Sequence, residues 1–353
     1  MGRSTVVREP VGVVAAITPW NFPLHQIVAK IVPALAMGCT VVLKPSEITP
    51  LDARLLADLV AKAGFPAGVF NLIFGAGEIG AALVDHPRVD MVSFTGSTRA
   101  GRQIAEAAGR RLARVALELG GKSANVLLDD CDLSAVVGRA LGQCYVNAGQ
   151  TCAALTRLIV PRAWLQETER LAVDHAQGWT VGDPLDPATK IGPLASRRQK
   201  KRVCALLEGA IAQGATILIG GTQAPAGMDA GAYVLPTVLG GVGPAMSIAR
   251  EEVFGPVLVI MGYGDEDEAA ALANATDYGL SAGVWSGDLV RAQAFARRLR
   301  TGQVILNGAM LDLEAPFGGV RQSGIGREYG RYGLEEFTVL KAITHPAPVG
   351  QLT

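Results

Sequence analysis

The stretch DMVSFTGSTRAGRQIAEAAGRRLARVALELGG, residues 90–121, changes its period twice. DMVSFTGS reads as a short strand ending in a glycine turn. TRAGRQIAEAAGRRL reads as a helix, and RVALELGG as a strand of alternating apolar residues that again ends in glycine. Two strands joined by a helix form a crossover unit, which predicts a parallel sheet with helices on both faces. The same beat runs upstream. TVVLKP (40–45) is a β-branched strand. TPLDARLLADLVAKAG (49–64) has leucines at 51, 55, 56 and 59, a proline near its start and a glycine at its end, and reads as a helix. GVFNLIFG and EIGAALVDH repeat the pair. Sheets of this kind take ligands at the carboxyl ends of their strands.

A second α/β region is expected from about residue 121. DLSAVVGRALGQCYVNAG is a helix, LTRLIVP a strand, 196–213 a helix and ATILIGG a strand. AAALANATDYGLSAGVWSGD and LVRAQAFARRLRTGQVILNG each supply a further helix–strand pair. EEFTVLKAIT (335–344) stands as a lone β-like segment after the last helix. A terminal strand with no obvious local partner often adds to another subunit's sheet.

Composition narrows the function classes. The 353 residues are 49% hydrophobic, enough for a large core and two or more domains. Lys plus Arg and Asp plus Glu number 32 each, so no global field attracts nucleic acid or an anionic membrane. The most apolar run, IVAKIVPALAMGCTVVL, is broken by Lys30 and Pro33, and no membrane span is expected. MGRSTVVREP lacks the apolar core of a signal peptide, and Val6 stands where an N-acylation motif needs Ser or Thr. Five cysteines (39, 131, 144, 152 and 204) form no C-x-x-C pair, which predicts no metal site and no disulfide framework. The expectation is a cytoplasmic protein with reduced thiols.

Several short motifs carry chemistry. LELGGKS (117–123) ends like a phosphate-binding loop, but that loop needs a glycine at position 116, which is Ala116. What is left is Glu118 at a strand end, either a surface carboxylate or a catalytic one. In FTGSTRAG (94–101), Gly96 and Ser97 lie between a strand and a helix, where free N–H groups and the helix dipole suit a pyrophosphate. The alternative is an ordinary serine N-cap. NAGQTC (147–152) places Cys152 in a polar, glycine-bearing loop, where a nucleophile or a structural thiol are both open. TPWNFP (18–23) fixes Asn21 between two prolines, as a turn residue or as an N–H donor to an oxyanion. KPSE (44–47) puts Lys44 and Glu47 after a strand, as ribose ligands or as solvated charges.

Taken together, PWNFP, KPSE, FTGST, LELGGK, GQTC, EEVFGPV (251–257) and PFGGVRQSGIGREYG (316–330) resemble, in wording and order, the NAD(P)-dependent aldehyde dehydrogenase superfamily over essentially the whole chain. The resemblance implies an α/β aldehyde dehydrogenase-like fold. Its parts would be a Rossmann-type cofactor domain (11–119 and 319–334), a second α/β catalytic domain (120–318) and a small oligomerisation strand region (1–10 and 335–353). It implies oxidation of an aldehyde to the carboxylic acid with NAD(P)+, through a thiohemiacetal and a thioester on Cys152. Glu118 would be the general base and Asn21 the oxyanion donor. In the cofactor site, Lys44 and Glu47 would contact the adenosine ribose, and Gly96 and Ser97 the pyrophosphate. Leu119 and the following glycines would lie close to the nicotinamide. Glu252 would bind the nicotinamide ribose with Phe254 beside it. Thr18 and Trp20 would line the site, and Gly75 would belong to the short turn IFGAGEIG. A carboxylate at Glu47 favours free ribose hydroxyls and hence NAD, with NADP admitted by Lys44.

The implied partners are a small aldehyde and further copies of the chain, as a homodimer or homotetramer. Ala29 in place of a bulkier aromatic suggests a roomy channel, and Asp312 and Glu314 would disfavour anionic aldehydes. Relatives carry a long segment before PWNFP, where only MGRSTVVREPVGVVAAIT stands here. Two other readings remain: a CoA-acylating relative, against which Glu118 argues, and a catalytically silent homologue, against which the full catalytic set argues.

Overall fold

The computed structural model describes residues 3–346. The chain divides into two compact units. The first holds the residues up to Glu118, Leu313–Phe317 and those from Gly326 onward. The second holds Leu119–Asp312 and Gly318–Ile325.

The first unit begins with β1 (Arg3–Pro10), β2 (Val13–Ile17), α1 (Pro23–Ala36), β3 (Thr40–Lys44), α2 (Leu51–Lys62), β4 (Phe70–Leu72), α3 (Gly77–Asp85), β5 (Met91–Thr95), α4 (Thr98–Gly109) and β6 (Arg114–Glu118). Five strands run parallel in the order β6-β5-β2-β3-β4. The crossover pattern read in residues 90–121 is β5, α4 and β6. The sequence reading had passed over β2, the strand at which the order reverses. Val14, Ala15 and Ala16 are fully buried, so this strand shows neither alternation nor a β-branched run.

The second unit contains β7 (Ala124–Leu127), α5 (Leu133–Tyr145), β8 (Arg157–Pro161), α6 (Leu165–Gln177), α7 (Arg197–Ala212), β9 (Thr216–Ile219), β10 (Thr237–Gly240), α8 (Ser247–Arg250), β11 (Val257–Tyr263), α9 (Glu266–Asn274), β12 (Ser281–Trp285), α10 (Leu289–Ala296), β13 (Gln303–Leu306) and the two-residue β14 (Gly324–Ile325). Its sheet has the order β13-β12-β7-β8-β11-β10-β9, parallel except for β9. Leu127, Leu158, Val259 and Val284 are fully buried in its core.

The chain closes with α11 (Gly330–Glu335) and β15 (Thr338–His345) in the first unit. Here the structure corrects the sequence reading. EEFTVLKAIT has a partner within its own chain, though a distant one, because β15 pairs antiparallel with β1, from Arg3↔His345 to Pro10↔Thr338. Glu335 belongs to the preceding helix. The pairing joins the two ends of the described chain, a contact that no local pattern announces. Residues 1–2 and 347–353, parts of the expected terminal strand segments, lie outside the described residues.

The unit boundaries also differ from those expected. Residues 318–325 go with the second unit because Ser323 ties into it. Its carbonyl accepts Leu119 N–H (3.0 Å), its hydroxyl donates to Gly120 O (2.7 Å), and Gly279 N–H donates to that hydroxyl (2.9 Å). Leu313–Phe317 go with the first, where Phe317 and Glu328 exchange backbone hydrogen bonds of 2.8 and 2.7 Å. Among the described residues, no helix is long and apolar enough to cross a membrane.

Candidate functional site

Because β2 to β6 are parallel, their carboxyl ends share one edge of the first sheet, and the sequence-predicted residues of this unit collect along it. Thr18 follows β2, and Trp20 and Asn21 lie in the turn that leads to Pro23, the first residue of α1. Lys44 ends β3, Gly75 lies between β4 and α3, Gly96 and Ser97 link β5 to α4, and Glu118 ends β6. The order reverses at β2, so this edge includes the switch point at which open α/β sheets bind ligands.

Local chemistry explains the turn geometry. Gly96 N–H donates to Glu118 O (3.0 Å), and a Cβ on Gly96 would lie 2.5 Å from the Phe94 ring, so only glycine lets the chain pass there. Ser97 caps α4 by accepting Ala100 N–H (3.3 Å). Its hydroxyl therefore does what the plainer sequence reading expected, while the helix N-terminus still presents its dipole. Lys44 is buried, not solvated, and donates to Pro45 O at 2.8 Å. Burial lowers its ammonium pKa, against which Glu47, 3.8 Å away, acts. Thr18 has a buried hydroxyl without a hydrogen-bond partner.

Glu118 is 4% exposed, and neither carboxylate oxygen has a hydrogen-bond partner among the described residues. A buried, unsatisfied carboxylate is costly unless it is protonated or awaits a ligand. Burial pushes its pKa well up; the nearby Glu328 adds to this, and Lys30 and Arg327 oppose it. Lys30 and Glu328 form a buried ion pair of 2.5 Å. Lys30 comes from the middle of α1 and Glu328 from the segment before α11, so an amphipathic helix delivers a cation to the core. The sequence reading gave neither residue a role, although GREYG lies within a motif it had quoted. Breaking a buried pair from one side leaves a naked charge. Lys30→Met is thus expected to lower unfolding free energy by about 3–5 kcal/mol, read from urea denaturation midpoints. A change within the scatter of surface substitutions would show that the pair carries no such weight.

In the second unit three sequence-distant motifs meet. Gly121 N–H donates to Glu252 Oε1 (3.1 Å). A Cβ on Gly120 would lie 2.5 Å from the Glu252 carboxylate, and one on Gly121 2.7 Å from Cys152 O. Leu119, which opens this turn, is buried. Cys152 itself is half-buried, in the loop that leads to β8, which begins at Arg157. Asn147, Ala148 and Gly149 before it all have positive φ (52°, 55° and 73°). Successive left-handed residues are strained and persist only where their surroundings hold them. Here the support is Gly149 packed so close to Gly255 that a Cβ would come within 2.0 Å of its carbonyl oxygen, together with Gln150, whose Oε1 accepts Ala195 N–H at 2.8 Å. Phe254 also has positive φ (59°), and its carbonyl accepts from Gln199 Nε2 (2.9 Å).

The other cysteines sit differently. Cys144 is fully buried, bonded to Val257 O, and burial pushes its thiol up to about 12. Cys131 is pushed up to about 11 by burial and by Asp130. Cys39 is buried against Phe337 O, and Cys204 faces Thr222 O. Burial raises the Glu252 carboxyl to about 7, opposed by Gly121 N–H, Arg202 and Lys122.

Each unit has a feature suited to part of a dinucleotide: in the first, the N-terminus of α4 at Gly96 and Ser97 suits a phosphate, and in the second, the Glu252 carboxylate suits ribose hydroxyls.

The sequence model of the aldehyde dehydrogenase family matches residues 2–343. The chain is 53% identical over 344 residues to the 3-succinoylsemialdehyde-pyridine dehydrogenase of a Pseudomonas species, covering 97% of this chain and 72% of that protein. It is 47% identical over 343 residues to the geranial dehydrogenase of Castellaniella defragrans, covering 97% and 71%. A crystal structure of a cysteine-to-alanine mutant of aldehyde dehydrogenase C from Pseudomonas syringae, in complex with NAD+ and octanal, superposes with a TM-score of 0.96 at 50% identity, covering 98% of this chain and 72% of that one.

Proposed function

The chain belongs to the aldehyde dehydrogenase family, and from that premise we propose how its own residues oxidise an aldehyde to the carboxylic acid with NAD+. Cys152, as thiolate, attacks the aldehyde carbon. The carbonyl π electrons move to oxygen, and the side chain of Asn21 donates an N–H to that oxyanion; one such donor is worth about 3–4 kcal/mol in the transition state. NAD+, when bound, accepts the hydride. Collapse of the oxyanion leaves a thioester on Cys152. Glu118 takes a proton from water, which adds to the thioester carbonyl and releases the acid and the thiolate. Lys44 and Glu47 are assigned to the adenosine ribose, Gly96 and Ser97 to the pyrophosphate, Gly75 to the neighbouring turn, and Glu252 to the nicotinamide ribose with Phe254. Thr18, Trp20 and Leu119 line the cofactor.

The observation that carries the hydrolytic outcome is Glu118, a buried carboxylate with both oxygens unpartnered at a strand's carboxyl end. NADH formation from a panel of aldehydes, with and without CoA, tests it. Turnover that needs CoA and yields an acyl-CoA would overturn the assignment of water as the acceptor.

Glu47 keeps NADP+ out through like charge at the ribose 2′-position. Glu47→Gln is expected to raise kcat/KM for NADP+ relative to NAD+ by about threefold to tenfold, the size of a partly exposed charge term. An unchanged ratio would place Glu47 away from the ribose.

The β1–β15 ribbon supports self-association into a dimer or tetramer. Val6 and Leu340 point to one face of it and are 62% and 68% exposed. Val6→Asp with Leu340→Asp is expected to convert the oligomer to monomer in light scattering. Unchanged mass would put the interface elsewhere.

A further inference from the structure

The second unit carries two buried cations that the oxidation chemistry does not use. Lys122 is 1% exposed, and its Nζ has no hydrogen-bond partner among the described residues. Arg157 is 2% exposed, and its guanidinium donates only to main-chain carbonyls: Nε to Lys122 O (2.9 Å), Nη1 to Leu272 O (2.8 Å) and Nη2 to Ala273 O (2.7 Å). Neither forms a salt bridge among the described residues. Burying charge without a counter-charge in contact is expensive; Glu251 and Glu252 act on Lys122 only from beyond ion-pair distance, and a second positive group lies in the same region.

Both residues line one small cleft between β7, β12 and the end of α9. Its lining includes a third basic residue, Arg300, and no Asp or Glu. Two further lining residues, Ser123 and Ser281, have buried hydroxyls without hydrogen-bond partners among the described residues. An ammonium and two hydroxyls without partners, beside a guanidinium and with no acid in the wall, form a donor-rich surround. The cavity measures about 20 Å³, which admits an occupant of roughly water size. A dinucleotide phosphate is too large for it.

We propose that this cleft binds a small monovalent anion of halide size, held by Lys122 with Ser123 and Ser281 and neutralising the charge shared with Arg157.

The groups that act on Lys122 set how the site responds to pH. They are Arg157, Cys144, Glu252 and Glu251. Burial, aided by Arg157, lowers the Lys122 ammonium to about 7, while the thiol and the two glutamates pull the other way. Only the protonated amine attracts an anion. Binding is therefore present below about pH 7 and is lost as pH rises past it.

Crystals of the full chain soaked in sodium bromide, with data collected at the bromine absorption edge, test this directly. The expected result is an anomalous peak in the cleft at pH 6 that disappears at pH 9 and is absent at pH 6 in Lys122→Met. No peak in the parent at pH 6, an equal peak at pH 9, or an undiminished peak in Lys122→Met would each overturn the proposal. Should Lys122→Met fail to fold, Ser281→Ala decides. A peak reduced at least twofold supports the site, and one of parental height overturns it.

Discussion

Cys152→Ala abolishes aldehyde-dependent NADH formation, by on the order of 10⁴-fold or more, while the four other cysteines tolerate replacement by Ala or Ser with turnover retained. The expectation follows from setting as much as from sequence. Cys144 and Cys131 are held as neutral thiols, pushed up to about 12 and about 11, and Cys39 and Cys204 face main-chain carbonyls. Cys152 alone follows a run of three left-handed residues and sits beside the Gly120–Gly121 turn. Without a sulfur nucleophile there is no thiohemiacetal from which hydride can leave. Retained turnover in Cys152→Ala would remove the covalent mechanism altogether. Loss of turnover in Cys144→Ala could reflect packing, so its unfolding midpoint has to be read alongside.

Glu118→Gln separates the two halves of the reaction. The amide keeps the shape of the side chain but cannot take a proton from water. Attack and hydride loss remain possible, so a rapid mix with aldehyde and NAD+ should release up to one equivalent of NADH per active site. Steady-state turnover should then be slower by about 10²–10⁴-fold, the usual worth of a positioned base. Intact mass after quenching should show the acyl adduct on Cys152. Parental turnover, or neither burst nor adduct at high pH where the thiol ionises unaided, would reassign the base.

The pH profile adds an independent check. Burial and Glu328 raise the Glu118 pKa, and the base works only when ionised. The parental deacylation rate therefore falls as pH drops below that raised value and climbs to a plateau above it. That acid limb should be missing from the residual turnover of Glu118→Gln. Because Glu328 raises the Glu118 pKa and Lys30 lowers it, Glu328→Gln should move the limb to lower pH.

The positions on which the proposed site draws are marked in the sequence. The strand ends at Lys44 and Glu118 and the loops that bear Asn21, Gly96 and Cys152 are marked by short runs of glycine, proline and polar residues after apolar segments, and such turn chemistry is local. The two readings that leaned on missing local signals went astray for the same kind of reason. β2 was passed over because a strand buried on both faces need not alternate, and VVAAI does not. β15 seemed partnerless because its partner is β1, at the other end of the described chain.

What the sequence by itself determined is the parallel α/β architecture and the set of groups on which the proposed chemistry draws. Periodicity, turn residues and side-chain chemistry belong to single residues and their neighbours, and survive without knowledge of the fold. What only the tertiary structure decided is the state of those groups. Glu118 became a carboxyl of raised pKa because folding buries it and brings Glu328 near it, with Lys30, from a distant part of the chain, opposing the shift. Lys122 and Arg157 became buried cations without an ion-pair partner among the described residues, because the fold puts no carboxylate into the wall of the cleft that they line. Burial and charge pairing depend on residues far apart along the chain, and folding alone sets which of them meet.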